Sequence, residues 1–189
     1  VLPANGSFTT DTTPAFDWNN SSDPSGLTYQ IQADNDAAFI TPEINVSGIG
    51  SSAYTPTAAL AQGLFSWRVR ATDNLGNVGP WSGAWTVTVD NIPPGMPTLL
   101  SPANASRTSD TTPTFDWTDV TDPSGLTYRI QIDDDPNFGS PINGGTLSTS
   151  TYTPTAALAQ GTYSWRARAI DNAGNTGTWT AARTVIIDT

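Results

Sequence analysis

Two stretches of the chain alternate apolar and polar residues with a period of two. In the first, Phe65, Trp67, Val69 and Ala71 are separated by Ser66, Arg68 and Arg70. In the second, Tyr163, Trp165, Ala167 and Ala169 are separated by Ser164, Arg166 and Arg168. Successive side chains of an extended strand point to opposite faces, so each stretch predicts a strand with a buried aromatic face and a wet, basic face. A helix would mix the two sets around its circumference. Shorter alternations predict further strands. Phe16 and Trp18 face in, as do Leu27, Tyr29, Ile31 and Ala33, with Thr28, Gln30 and Gln32 facing out. Trp85, Val87 and Val89 share one face, and short strands are expected over 43–46 and 53–55. No segment carries a 3.6-residue apolar stripe, and only 57–62 suits a helical turn, as a crossing between sheets.

The pattern occurs twice because the sequence does. Asp23-Pro24-Ser25-Gly26-Leu27-Thr28-Tyr29 returns unchanged at Asp122 through Tyr128. Tyr54 through Gly63 returns unchanged at Tyr152 through Gly161. The two matches differ in offset by one residue, lost in the loop between. Two such copies in tandem are a duplication, which divides the chain into domains of about 95 residues. The expected boundaries are 1–91 and 98–189, joined by a linker at 92–97. Pro93, Pro94 and Pro97 deny that linker regular strand pairing and favour a stiff, extended path, hence a rod. About seven short strands per copy, punctuated by turns such as Asp23-Pro24-Ser25-Gly26, predict an all-β fold: two tandem β-sandwiches of the immunoglobulin kind. The start at Val1-Leu2-Pro3 and the stop at Asp188-Thr189 read as a piece of a longer array.

Composition narrows the chemistry. Seven Trp, five Tyr and six Phe supply two cores without disulfide staples, and there is no cysteine. The net charge of −10 repels phosphate, which argues against nucleic acid and anionic membrane as partners. No apolar run is long enough to span a bilayer. Without His, Cys or Lys there is no Ser-His-Asp or Cys-His arrangement, no Schiff-base lysine, no zinc site with nitrogen or sulfur ligands and no phosphate-loop lysine. Paired carboxylates stay open, since aspartate is plentiful and a glycosidase needs two. Most of these aspartates stand beside Pro, Gly, Asn or Ser, where capping a turn explains them. The chain is expected not to be an enzyme.

Each copy carries a tryptophan at Trp18 or Trp117, a leucine before an aromatic (Leu60 before Phe65, Leu158 before Tyr163), and an Arg-x-Arg-Ala-x-Asp-Asn-x-Gly-Asn stretch, at 68–77 and 166–175. Together these residues resemble the fibronectin type III and immunoglobulin-like repeats of bacterial and archaeal surface proteins. The resemblance covers nearly the whole chain and implies a two-sheet sandwich. It also implies a corner tyrosine at Tyr163 whose hydroxyl bonds upstream backbone, replaced by Phe65 in the first copy.

In such a topology the linker acid Asp90 meets the upper loops of the second copy, which hold Asp119, Asp122, Asp171 and Asn172. Asp34, Asn35 and Asp36 lie at the bottom of the first copy. Converging carboxylates repel one another unless a cation neutralises them, and Ca²⁺ takes six to eight oxygens. Asp90, Asp122 and Asp171 are therefore the candidate metal ligands, with solvated turn capping as the competing explanation. The logic is similar to that of cadherins and some bacterial adhesins. Trp81 and Trp179 either cover the end of the core or stack on a sugar. Arg68, Arg70, Arg166 and Arg168 are expected to stack on neighbours and pair with cross-strand aspartates. Asn-x-Ser sequons stand at Asn5, Asn19, Asn20, Asn45 and Asn104. The expected function is a spacer in an extracellular or cell-surface protein of the adhesin or stalk type, with neighbouring repeats as partners. The alternatives are a self-assembling filament subunit, or a carbohydrate- or protein-binding accessory module of a secreted enzyme.

Overall fold

Aromatic–basic alternation over 63–73 places that strand at the middle of a sheet, where its two neighbours shield both edges. The computed structural model describes residues 1–189 and falls into two units, Val1–Asn91 and Ile92–Thr189. It contains strands and no helix, and so none long and apolar enough to cross a membrane. Unit 1 holds β1 (Ser7–Thr9), β2 (Phe16–Asp17), β3 (Leu27–Asp34), β4 (Ile44–Ile49), β5 (Ala53–Tyr54), β6 (Gly63–Asp73) and β7 (Trp85–Val89). One sheet has the order β1-β7-β6-β3-β4; the other is the pair β2-β5.

Unit 2 repeats the plan and adds a strand. It holds β8 (Leu99–Ser101), β9 (Ser106–Thr108), β10 (Phe115–Trp117), β11 (Leu126–Asp133), β12 (Ile142–Asn143), β13 (Thr151–Tyr152), β14 (Gly161–Asp171) and β15 (Arg183–Ile187). Its sheets run β12-β11-β14-β15-β9 and β13-β10-β8. The architecture is all-β throughout, two sandwiches in tandem.

The inward residues of facing sheets make each core. In unit 1, Phe16, Ile31, Phe65, Trp67, Val87 and Val89 are buried, and Phe16 meets Trp67 edge-on at 5.3 Å. In unit 2, Phe115 meets Trp165 edge-on at 5.1 Å. The two short polar strands β1 and β9 carry no apolar alternation and are invisible to periodicity. They pair in parallel with β7 and β15, and asparagine side chains pin them there. Asn5 Oδ1 accepts the Thr86 N–H at 2.8 Å, and Asn104 Oδ1 accepts that of Thr184 at 2.9 Å. Those two sequon asparagines therefore serve the fold.

Two expectations are corrected. Residues 57–62 form no helical turn, because the Leu60 N–H donates to the Thr12 carbonyl at 2.7 Å while its side chain enters the core. The corner hydroxyl of Tyr163 makes no hydrogen bond within the protein; the tyrosines that bond upstream backbone stand on β3 and β11. Tyr29 Oη accepts the Ser21 N–H at 2.7 Å and Tyr128 Oη that of Val120 at 2.9 Å, each reaching eight residues back. Both rings lie under a core tryptophan edge, which fixes where the hydroxyl emerges.

Candidate functional site

The outward face of the central strands is the most organised polar surface of each unit. In unit 1, Arg68 and Arg70 project from β6 opposite Gln32 and Gln30 of β3. Arg68 donates through Nε and Nη2 to Gln32 Oε1, at 3.0 and 2.8 Å, and Arg70 Nε donates to Gln30 Oε1 at 2.9 Å. The Arg68 guanidinium lies 4.0 Å from the Phe39 ring centre and 4.5 Å from that of Trp81, and Arg70 lies 4.4 Å from Trp81. Unit 2 builds a similar ladder from Phe138, Arg166, Trp179 and Arg168, with Gln131 as the bidentate acceptor, but Arg129 stands where unit 1 has Gln30, so Arg168 has no glutamine acceptor and its Nε is buried without a partner. Each such cation–aromatic contact contributes about 0.5–2 kcal/mol.

The arginines thus find glutamines and rings, not cross-strand aspartates. The chain has one ion pair, Arg107 with Asp188, on the surface at 3.3 Å. Trp81 and Trp179 are half-buried on this outer face and do not close the core. Their rings are engaged by guanidiniums, which weakens them as platforms for a sugar. Sequence reasoning missed the two rings at the start of the ladder. Phe39 and Phe138 take left-handed backbone angles, φ 55° and 57°, uncommon for a bulky residue. A shared spacing, Asp34-x-Asp36-x-x-Phe39 and Asp133-x-Asp135-x-x-Phe138, was the available signal.

That spacing also explains the lower-loop aspartates. Asp34 Oδ1 accepts the Asp36 N–H at 2.9 Å, and Asp36 Oδ1 accepts that of Ala38 at 2.9 Å. In unit 2, Asp133 Oδ1 accepts the Asp135 N–H at 3.0 Å and Oδ2 that of Ser140 at 2.9 Å. The Asp135 N–H above all, helped by Ser140, holds the Asp133 carboxyl below the ordinary carboxylate range against the opposing effect of burial. Asp73 is lowered too, first by the Asn77 side chain and then by its backbone N–H. A folded-state value below the unfolded one gives stability that is present above about pH 4 and is lost as pH falls further. Acid titration followed by circular dichroism should therefore show cooperative loss below about pH 4. Asp133→Asn should be less stable at neutral pH and lose less on acidification.

The candidate calcium ligands fall in both units. Asp122 and Asp171 share one pole of unit 2, with a carboxylate oxygen of each within 4.8 Å of the other. Asp122 Oδ1 accepts the Ser124 N–H at 2.9 Å and the Ser124 hydroxyl at 2.8 Å. Asp171 is buried and accepts the Asn175 N–H at 2.7 Å and its side-chain amide at 2.6 Å. Asn172 clasps the two loops by donating to the Ser124 carbonyl at 2.7 Å. Unit 1 makes the same bonds from Asp23, Asp73 and Asn74. Asp90 ends the last strand of unit 1. Its N–H donates to the Thr9 carbonyl at 2.8 Å, and its carboxylate accepts the Gln62 side-chain amide.

Residues 3–91 and 101–189 each match the family of bacterial Ig-like domains. Over 143 residues, 72% of this chain, the sequence is 32% identical to Exoglucanase B of Cellulomonas fimi, and it spans 12% of that protein's length. Among solved structures, the fibronectin(III)-like modules of CbhA from Clostridium thermocellum superpose with a TM-score of 0.54 at 15% identity, over 99% of this chain and 92% of theirs. A three-domain stretch of titin superposes with a TM-score of 0.61 at 12% identity, over 96% of this chain and 62% of its own. At such identities the superpositions speak for the sandwich fold alone. The duplicated pattern, the two sandwiches and the two family matches agree: the chain belongs to the bacterial Ig-like domain family, in two tandem copies.

Proposed function

We propose that the chain is a non-catalytic spacer in an extracellular protein, holding its neighbours apart through a series of separately folded cores. The observation that carries this reading is the pair of arginine–aromatic ladders. On the broad outer face of each unit, the tryptophan and the first arginine are engaged with one another and with glutamine in both copies, while the second arginine differs: Arg70 bonds Gln30, and Arg168 faces Arg129 and meets only the Trp179 ring. Pulling on the chain from its two ends tests the mechanical role. Two unfolding events are expected, each releasing about 30 nm of contour for a unit of this size. A single event, or gradual extension without force peaks, would contradict it.

A second reading has its own support in the likeness to Exoglucanase B. It makes the chain an accessory stretch of a polysaccharide-degrading enzyme, either as a spacer or as a carbohydrate-binding module. A spacer leaves the chain in the supernatant over insoluble cellulose. Retention that Trp81→Ala or Trp179→Ala removes would replace the spacer reading with a binding one.

Calcium at Asp90, Asp122 and Asp171 belongs to the same proposal, on the sequence argument above and on the closeness of the last two carboxylates. Against it, the hydrogen bonds of Asp122 and Asp171 are repeated by Asp23 and Asp73 as ordinary loop capping. After exhaustive chelation, millimolar Ca²⁺ should raise the melting temperature, and Asp90→Ala should abolish the rise. An unchanged melt removes calcium from the account.

A further inference from the structure

The outer faces of the two copies part company at the second arginine of the ladder. Unit 1 sets Gln30 of β3 opposite Arg70 of β6, and a hydrogen bond of 2.9 Å joins the pair. Unit 2 sets Arg129 of β11 opposite Arg168 of β14. Like charges directly opposite on paired strands destabilise a sheet, so the exchange removes a bond and adds a repulsion. Five of the seven arginines donate to an oxygen of the chain, whereas Arg129 and Arg168 donate to none. The one ion pair, Arg107 with Asp188, involves neither, so no carboxylate of the chain neutralises them.

Arg168 is half-buried against the Trp179 ring, with its Nε sealed from solvent and unpartnered. Burial first, and then the charges of Arg129 and Arg166, push its pKa down. Arg129 is exposed beside it. A cleft of about 690 Å³ adjoins Arg168, walled by Pro94, Met96, Thr176, Thr178 and Trp179. That volume lies within the roughly 300–1,000 Å³ usual for ligand sites. The backbone beneath is already paired: β14 bonds β11 along one edge, and β15, Gly177 and Thr180 along the other. A peptide therefore cannot add there as a strand, and only side chains can grip a ligand. Guanidiniums beside the exposed hydroxyl residues Thr176 and Thr178 suit a partner that carries carboxylates and hydroxyls together.

We propose that Arg129 and Arg168 form a carboxylate-binding site in unit 2, whose ligand is a uronic-acid residue of an acidic sugar chain. One carboxylate between the two guanidiniums turns their repulsion into two charge-assisted pairs, and the forked donors fit its two oxygens. The sugar hydroxyls meet Thr176 and Thr178 in the cleft. Trp179 contributes by holding Arg168 in place, since its ring is already engaged. The net charge of −10 opposes a densely charged polyanion. Beyond about 8 Å that field is screened at physiological salt, and the adjacent arginines decide the contact. The site goes beyond the spacer reading. It is also distinct from cellulose retention, because cellulose carries no carboxylate.

The test is titration of the full chain with hexagalacturonic acid in chelated buffer, so that no calcium bridges acid to acid. One site per chain is expected. Arg129→Gln should weaken it about 10- to 100-fold, the effect of losing a charged hydrogen-bond partner. Because that change rebuilds the Gln30–Arg70 pairing of unit 1, it should also raise the melting midpoint of unit 2, which rules out misfolding as the cause of lost binding. No binding at millimolar sugar, equal binding by Arg129→Gln, or a midpoint that fails to rise overturns the site. Equally tight binding of cellohexaose overturns the carboxylate, and equally tight binding of hexaglutamate overturns the sugar. Pulling decides the spacer reading separately from any of these results.

Discussion

Trp165→Ala is expected to unfold unit 2 at temperatures where unit 1 is still folded. Trp165 has no exposed surface and packs edge-on against Phe115, within a core that includes Ile132, Leu158 and Val185. Its indole N–H has no hydrogen-bond partner, so removing the ring orphans no acceptor. The cost is lost transfer free energy plus an unfilled cavity, about 3–5 kcal/mol for a large aromatic. A domain of this size has about 5–15 kcal/mol in total, so the loss is a large fraction of it. For such a domain the midpoint should fall by roughly 15–30 °C. Trp165→Phe keeps the edge contact and sheds the unpaired N–H, and should cost less than half as much. Calorimetry of the whole chain reads both units at once, because each has its own core. One transition should drop while the other stays in place. Two transitions falling together would mean that the cores do not fold separately.

Period-two alternation was enough to locate the long strands, their inward faces and the duplication. It works because β3, β6, β7 and their counterparts are half-buried, and burial on one face is what writes the pattern. It failed at β1 and β9, whose residues Ser7–Thr9 and Ser106–Thr108 are held by backbone pairing and an asparagine clasp rather than by apolar side chains. The arginines were placed on the correct face and given the wrong partners. Charge alone suggested aspartate, whereas strand register sets Gln32 opposite Arg68 and Gln131 opposite Arg166. The Tyr163 expectation came from a family resemblance; the tyrosine that reaches upstream backbone is on another strand. Asp122 and Asp171 lie at one pole, in loops that repeat those of unit 1 with their spacing intact. Their hydrogen-bond partners, Ser124 and Asn175, were within reach of turn chemistry as well.

Gly177→Val should destabilise unit 2 by about 2–3 kcal/mol, as expected when backbone must move to admit new methyl groups. Neither Gly177 nor its counterpart Gly79 adopts a left-handed φ, so the comparison is free of backbone strain. Both glycines donate to the carbonyl across the loop, Ala169 or Ala71, at 2.9 Å. Their surroundings differ in one respect. A side-chain carbon at Gly177 would lie 2.9 Å from the Pro94 carbonyl and 3.1 Å from that of Ala169, while at Gly79 the nearest atom is the Ala71 carbonyl at 3.3 Å. The Ala169 carbonyl is held by the Gly177 N–H, and the Pro94 carbonyl can move only with its own backbone, so neither swings away as a long side chain can. Gly79→Val should therefore cost unit 1 about 1 kcal/mol or less. The difference between the two substitutions reports chiefly on the Pro94 contact, because the glycine's own hydrogen bond is common to both copies, and a Pro80→Thr background matches the residue after Gly79 to Thr178. Denaturant unfolding with exchange read separately in each unit gives both numbers from one chain. Equal costs would mean that the linker yields freely, and the closeness of Pro94 to Gly177 would then contribute nothing to holding it.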